Sequence, residues 1–144
     1  MLRERSISII ETNWSEHSDE ITRIRDMVFV QEQCVPKNIE MDGKDVDCNH
    51  FLIFTKKQPI GTARLQRGGK IERVSILKPS RKKGLGSKLM RFIINSAKKR
   101  EFERVYLHSQ MGSIDFYKGL GFRVKGAMFQ EAGINHVLMV LEDE

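Results

Sequence analysis

The hydrophobic pattern of this chain changes period once in its middle, and a glycine turn marks the change. Residues 70–77 (KIERVSIL) read as a strand, whereas Leu85, Leu89, Ile93 and Ala97 recur every four residues and predict an amphipathic helix over 86–99. Lys88, Arg91, Asn95 and Lys98 occupy its other face. Between strand and helix lies the short basic loop Arg81-Lys82-Lys83-Gly84-Leu85-Gly86. A strand, a glycine loop and a long helix in that order make an anion site. The first helical amides are unpaired and carry partial positive charge, and the glycines let a phosphate approach the backbone. Arg81, Lys82 and Lys83 add cationic partners. Neither the Walker spacing nor the dinucleotide G-x-G-x-x-G is present.

The charge distribution sharpens this reading. The formal charge is +6, and its excess is local: ten Lys/Arg stand against two Asp/Glu between Lys78 and Arg104. Such a concentration suits a polyanionic ligand better than general solubility does. A nucleic-acid-binding module also fits a basic segment, but only Phe92 and Phe102 are aromatic within it, with no interleaving for base stacking. At 144 residues, 40% hydrophobic and 31% charged, the chain predicts one globular domain over 1–144. No apolar run is long enough for a membrane span and the N-terminus lacks a signal-peptide core, so a cytoplasmic setting is expected. Cys34 and Cys48 are then expected to stay reduced. With Asp47 and His50 they show no standard metal-ligand spacing, so no metal is expected.

Along the chain, 6–12 (SISIIET) predicts a first strand, and Ser18 and Asp19 offer caps for a helix ending near Gln33. The acidic stretch 36–49 reads as a long loop. Strands follow at 50–55 and 60–66, joined at Lys57-Gln58, and the strand at 70–77 begins after the Gly68-Gly69 turn. After the basic helix come a strand at 105–109, a short helix at 114–118 ended by Gly119 or Gly121, and strands at 122–129 and 136–141. The order βαβββαβαββ mixes hairpins with crossovers and implies α/β layering around a mixed sheet.

The loop Arg81-x-x-Gly84-x-Gly86 after its strand resembles the acetyl-CoA-binding motif of the GNAT N-acetyltransferase superfamily. Phe116-Tyr117-Lys118-Gly119-Leu120-Gly121-Phe122 is similar to the F-Y-x-x-x-G-F segment that closes the cofactor site in that family. Four further stretches resemble its ElaA/YjcF-like branch: Val28-Phe29-Val30-x-Glu32-Gln33-x-Val35-Pro36, Gly61-Thr62-Ala63-Arg64, Gln110, and Phe129-x-Glu131-Ala132-Gly133-Ile134-x-His136. One departure is that Lys82 stands where the family loop commonly has its first glycine. The resemblance implies an α/β (α+β) fold with a mixed, mostly antiparallel sheet of about seven strands. It also implies acetyl-CoA as donor, bound by Val74, Ser75, Ile76, Arg81, Lys82, Lys83, Gly84, Leu85, Gly86, Ser87, Phe116 and Tyr117.

Acetyl transfer to an amine makes three chemical demands. The acceptor is mostly protonated at neutral pH and must lose a proton, and Glu72, beside the expected thioester, resembles the glutamate some members use as base. Charge grows on the thioester oxygen, for which a main-chain N–H near Val74 to Ile76 is a donor. The departing thiolate needs a proton, and Tyr117 is the expected acid. Glu32, Asp42, His50, His108, Gln110, Glu131 and His136 are candidates for the acceptor pocket. The expected reaction is direct attack in a ternary complex, with a small-molecule or protein amine as acceptor. No membrane partner is expected, a homodimer is compatible with the sequence, and the competing reading is a CoA-binding sensor without catalysis.

Overall fold

The structure is a computed structural model that describes residues 6–142. Its strands are β1 (Ile7–Thr12), β2 (Asn49–Thr55), β3 (Gln58–Leu65), β4 (Lys70–Ile76), β5 (Tyr106–Gln110), β6 (Phe122–Glu131) and β7 (Ile134–Leu141). The α-helices are α1 (Trp14–Arg25), α2 (Lys37–Glu40), α3 (Leu85–Lys98) and α4 (Ile114–Lys118). One seven-stranded sheet runs β1-β2-β3-β4-β5-β7-β6, in which only the β4–β5 pair is parallel. This is the mixed α/β architecture expected from the sequence.

Side-chain alternation sets the layers. On β2, Phe51 and Ile53 join the buried cluster under α3, while Leu52 between them packs with Ile21 and Ile24 of α1 on the opposite face. The four-residue repeat of α3 becomes a buried stripe of Leu85, Leu89, Met90, Ile93, Ile94 and Ala97. Each large side chain on it contributes about 1.5–3 kcal/mol of apolar burial. The β2–β3 turn forms at Lys56 and Lys57, both at positive φ (50° and 65°), as the twist of a tight hairpin demands.

Helix α1 begins earlier than the expected cap at Ser18 and Asp19. The Asn13 side chain accepts a hydrogen bond from the Glu16 amide at 3.0 Å and caps the helix there. The expected start coincides instead with a kink, since His17 has non-helical φ and ψ. A π-helical turn, Asp26–Glu32, continues α1 and stops at Gln33, where the sequence placed the end.

The sheet opens where β4 and β5 part. Gly69 packs so close to the next segment that a Cβ there would lie 2.2 Å from the Arg104 carbonyl oxygen, and the Tyr106 amide donates to the Gly69 carbonyl at 3.0 Å. From that anchor the strands pair only at Lys70/Tyr106 and Ile71/Leu107. Past this point β4 carries a bulge: the two-residue step from Thr62 to Arg64 on β3 is matched by a three-residue step, Glu72 to Ser75, on β4. Arg73 at the bulge has a left-handed φ of 57°. The strand bends away, leaving its β5-facing edge unpaired from Glu72 onward.

The acidic segment 36–49 is folded rather than a free loop. It contains α2 and a 3-10 turn at Asp45–Asp47, and it turns Glu40 and Asp45 inward, both 3% exposed. They meet two almost fully buried arginines. Arg25 donates to Glu40 and Asp45, each at 2.6 Å, and Arg64 pairs with Asp42 at 2.6 Å, Asp45 at 2.9 Å and Glu72 at 2.8 Å. Arg73 joins through Glu40 at 3.1 Å and Asp42 at 3.3 Å. Desolvation makes such a network costly to break, because removing one partner strands the others.

Two predictions follow from this network. Arg64→Met should destabilise the protein by about 3–5 kcal/mol in urea titration, leaving Asp42, Asp45 and Glu72 without their shared cation. Burial would raise the Glu72 carboxyl, but the Arg64 charge and hydrogen bonds from Lys70 and Gln66 outweigh it and hold it at about 2. A carboxyl depressed in the folded state stabilises above its unfolded value of ~4.3 and loses that contribution as pH falls. Unfolding free energy in wild type should therefore decline from about pH 4.5 toward pH 2, and less steeply in Glu72→Gln, where Asp42, Asp45 and Glu32, also depressed by their arginine partners, still contribute.

Candidate active site

Two cavities occupy the opening between β4 and β5 and meet at four residues, Gln33, Val74, Ser113 and Tyr117. The first, of about 580 Å³, runs along β4 to the start of α3. Lys82 and Gly84 both take left-handed backbone, at φ 65° and 78°, and curl the loop ahead of that helix. The conformation at Lys82 is one glycine adopts without strain, which accounts for the glycine usual at that place in similar loops. The first α3 hydrogen bond is from the Lys88 amide to the Gly84 carbonyl, so the amides of Leu85, Gly86 and Ser87 have no partner within the helix. They are a ready seat for a diphosphate.

Of the expected cofactor residues, Val74, Ser75, Ile76, Arg81, Lys82, Gly84, Leu85, Gly86, Ser87, Phe116 and Tyr117 all line this cavity; Lys83 does not. Arg81 is also engaged elsewhere: its guanidinium binds both oxygens of Glu32 at 2.6 and 2.7 Å, and its Nε donates to the Ile76 carbonyl at 2.8 Å. Glu32 thus lines neither cavity and instead ties the π-helical turn to the basic loop. The hydrogen bond from Arg81 depresses its carboxyl, outweighing a small effect of burial.

Tyr117 stands at the junction. Its ring packs edge-on against Phe116 at 5.0 Å and Phe122 at 6.0 Å, and its hydroxyl has no hydrogen-bond partner among the described residues. Burial pushes the phenol up to about 12, so it stays protonated at neutral pH and is available as a donor.

The second cavity, of about 440 Å³, lies between β4, the acidic segment and the β6–β7 hairpin end. It gathers His108, Gln110, Glu131 and His136, as well as Glu72 and Asp42. Gln110 donates to Gln33 at 2.9 Å across the opening, and the His108 ring binds Glu131 at 2.8 Å. His136 donates from Nδ1 to the Ile134 carbonyl at 2.7 Å and stacks on Phe129 at 6.0 Å.

Two expected site residues have other surroundings. Glu72 lines this cavity, but Arg64, Lys70 and Gln66 hold its carboxylate, which at about 2 is a weak proton acceptor at neutral pH. His50 is fully buried and lines neither cavity. Its Nε2 donates to the Asp45 carbonyl at 2.8 Å while its Nδ1 has no partner, and burial lowers its pKa and keeps the ring neutral.

Sequence reasoning did not anticipate Val28, Gln33, Ser80 and Ser113 in the first cavity, nor Phe29, Lys44, Lys70 and Arg73 in the second. Val28, Phe29 and Gln33 do belong to the Val28–Pro36 stretch already set apart, so the signal was present without an assignment. Among the described residues no group of three or more His, Cys, Asp or Glu is arranged to hold a metal, and no helix is long and apolar enough to cross a membrane.

Known proteins identify the family and the fold. The family model "Acetyltransferase (GNAT) domain" matches residues 15–143. The Bacillus subtilis N-acetyltransferase YjcF is 33% identical over 121 residues, covering 81% of this chain and 86% of its own. Escherichia coli ElaA superposes with a TM-score of 0.85 at 26% identity, covering 94% of this chain and 99% of its own. A GNAT family acetyltransferase from Elizabethkingia anophelis, crystallised with acetyl-CoA bound, has the same fold at TM-score 0.70 and 14% identity, covering 95% of this chain and 98% of its own.

Gly86 tests the anion seat. A Cβ there would meet only ordinary contacts, the nearest being Phe116 at 3.5 Å, so Gly86→Val should still fold while filling the cavity wall. Calorimetric titration with coenzyme A should show affinity reduced by roughly tenfold or more, at least about 1.4 kcal/mol, with a nearly unchanged melting temperature.

Proposed function

This chain belongs to the GNAT family of N-acetyltransferases, and from that premise we propose that it moves the acetyl group of acetyl-CoA directly onto a primary amine held in the second cavity. The observation that carries the proposal is the junction of the two cavities at Tyr117 and Val74, in the gap where β4 leaves β5. A donor seated with its diphosphate on the α3 amides would lay its arm along the unpaired edge of β4. Its thioester would then reach the junction, and the acceptor would approach from the other side.

The chemistry divides among groups already in place. Main-chain N–H groups of β4 between Val74 and Ile76, freed by the parting of the strands, face the developing charge on the thioester oxygen; one such donor contributes about 3–4 kcal/mol. The Tyr117 hydroxyl, protonated and without a competing partner, donates to the departing sulfur. Glu72 is a fixed anion of the wall, neutralised by Arg64 and Lys70. An acceptor cavity of about 440 Å³ is of the size that encloses a small molecule, which favours a small amine over a protein surface.

The reading is tested by titrating the protein with acetyl-CoA and then following thiol release over a panel of primary amines, with acetylated product identified by mass. Binding without thiol release for any amine would establish the non-catalytic sensor instead. Tyr117→Phe should keep the acetyl-CoA affinity and lose about 100-fold or more in kcat, since its hydroxyl acts only as the sulfur departs.

A further inference from the structure

Resting on that reading, we propose that His108 is the catalytic base that takes the proton from the acceptor's ammonium group, held in its working tautomer by Glu131 as a positioning residue. The assignment begins with β5. Its alternation places Leu107 and Ser109 in the interior and leaves Tyr106, His108 and Gln110 half-buried on the other face, where His108 and Gln110 line the acceptor cavity. Glu131, at the end of β6, reaches across β7 to within 2.8 Å of His108 Nδ1. A carboxylate only accepts, so Nδ1 carries the hydrogen of that bond and Nε2 is left with its lone pair. Nε2 has no partner among the described residues and is not buried. Phe129 packs edge-on against the ring at 4.9 Å, and the Tyr106 ring lies at 6.3 Å.

The remaining titratable groups around the cavity are poorer bases. Glu40, Asp42, Glu72, Lys70 and Arg73 are taken up in ion pairs, and Tyr117 is protonated. Lys44 is cationic, and Cys48 lies outside the lining. His136 is the one rival. It is only 7% exposed, stacked against Phe129, and oriented by a main-chain carbonyl rather than a carboxylate.

The step balances as follows. The ammonium gives one proton to His108 Nε2, and the freed amine attacks the thioester carbon. The new C–N bond forms as the C–S bond breaks; Tyr117 gives its proton to the leaving sulfur and is reprotonated by the nitrogen's second proton. His108 then returns its proton to solvent. One ammonium and one acetyl-CoA give one acetamide, one free thiol and one proton.

The test uses the amine that the thiol-release panel identifies as the best acceptor, with His108→Gln, Glu131→Gln and His136→Gln beside wild type. His108→Gln should bind acetyl-CoA as wild type does and lose about 100-fold in kcat/KM at pH 7. Its rate should then climb about tenfold per pH unit toward pH 9, as solvent deprotonates the amine, while wild type levels off. Glu131→Gln should lower kcat by about tenfold with little change in KM. Turnover of His108→Gln within threefold of wild type, or a loss confined to His136→Gln, overturns the assignment. A rate loss in His108→Gln that higher pH does not restore shows a structural role and also overturns it. Thiol release from wild type for no amine overturns the enzymatic reading itself, and this assignment with it.

Discussion

The parting of β4 from β5 is the constraint from which the rest of the site derives. Two parallel strands fixed together at Gly69 would ordinarily continue as a ladder, satisfying every main-chain group on their facing edges. Here the bulge at Arg73 turns β4 away after two paired residues, so the edges are left open in the middle of the domain. An unpaired interior edge is tolerable only if something else meets its N–H and C=O groups. The gap therefore presents unpaired main-chain donors and acceptors, suited to a ligand that carries amides of its own. The same bend brings the start of α3, the Tyr117 hydroxyl and the second cavity around one point.

A strained bulge needs support, and the buried ion network supplies it. Arg73 adopts its left-handed backbone with its side chain tied to Glu40 and Asp42 and to the Glu40 carbonyl, all on the acidic segment. That segment is in turn held by Arg25 from α1 and Arg64 from β3. Burying Glu40 and Asp45 among arginines is weak evidence for stability, because desolvation offsets most of the attraction. Its better account is specificity: polar groups so demanding of partners define one position for α2 and one bend for β4. A purely apolar floor would hold the bulge less exactingly.

Much of this was legible in the sequence, for reasons that differ from element to element. Helix α3 was evident because its apolar repeat is long, and the loop before it because glycines and cations mark an anion seat without tertiary information. The seven strands and their order followed from short apolar runs between turn residues. What could not be read was which charged residues would neutralise one another. Glu72, two residues from Lys70 on the same strand face and opposite Arg64 in the ladder, has a ladder partner that becomes predictable only once the β3–β4 register is known. His50 likewise looked available, yet its place beneath Asp45 and against Trp14, at 5.4 Å, comes from the folding of the acidic segment. The kinked start of α1 was missed because Ser18 and Asp19 are good caps in isolation and Asn13 is an equally good one a turn earlier.

The two sides of the reaction centre are built on different terms. On the proposed reading the donor side uses mainly backbone, from the β4 edge and the α3 amides, which is indifferent to side-chain identity. The acceptor side uses side chains from the hairpin end and the acidic segment. Its charged wall is nearly neutral as folded, since Arg73, Arg64 and Lys70 offset Glu40, Asp42 and Glu72. Lys44, Tyr117, His136 and the His108–Glu131 pair are the ionisable groups left outside that balance. On the same reading, discrimination among amines falls to these few groups and to the apolar faces of Phe29, Val35 and Ile39, side chains that can change without rebuilding the sheet.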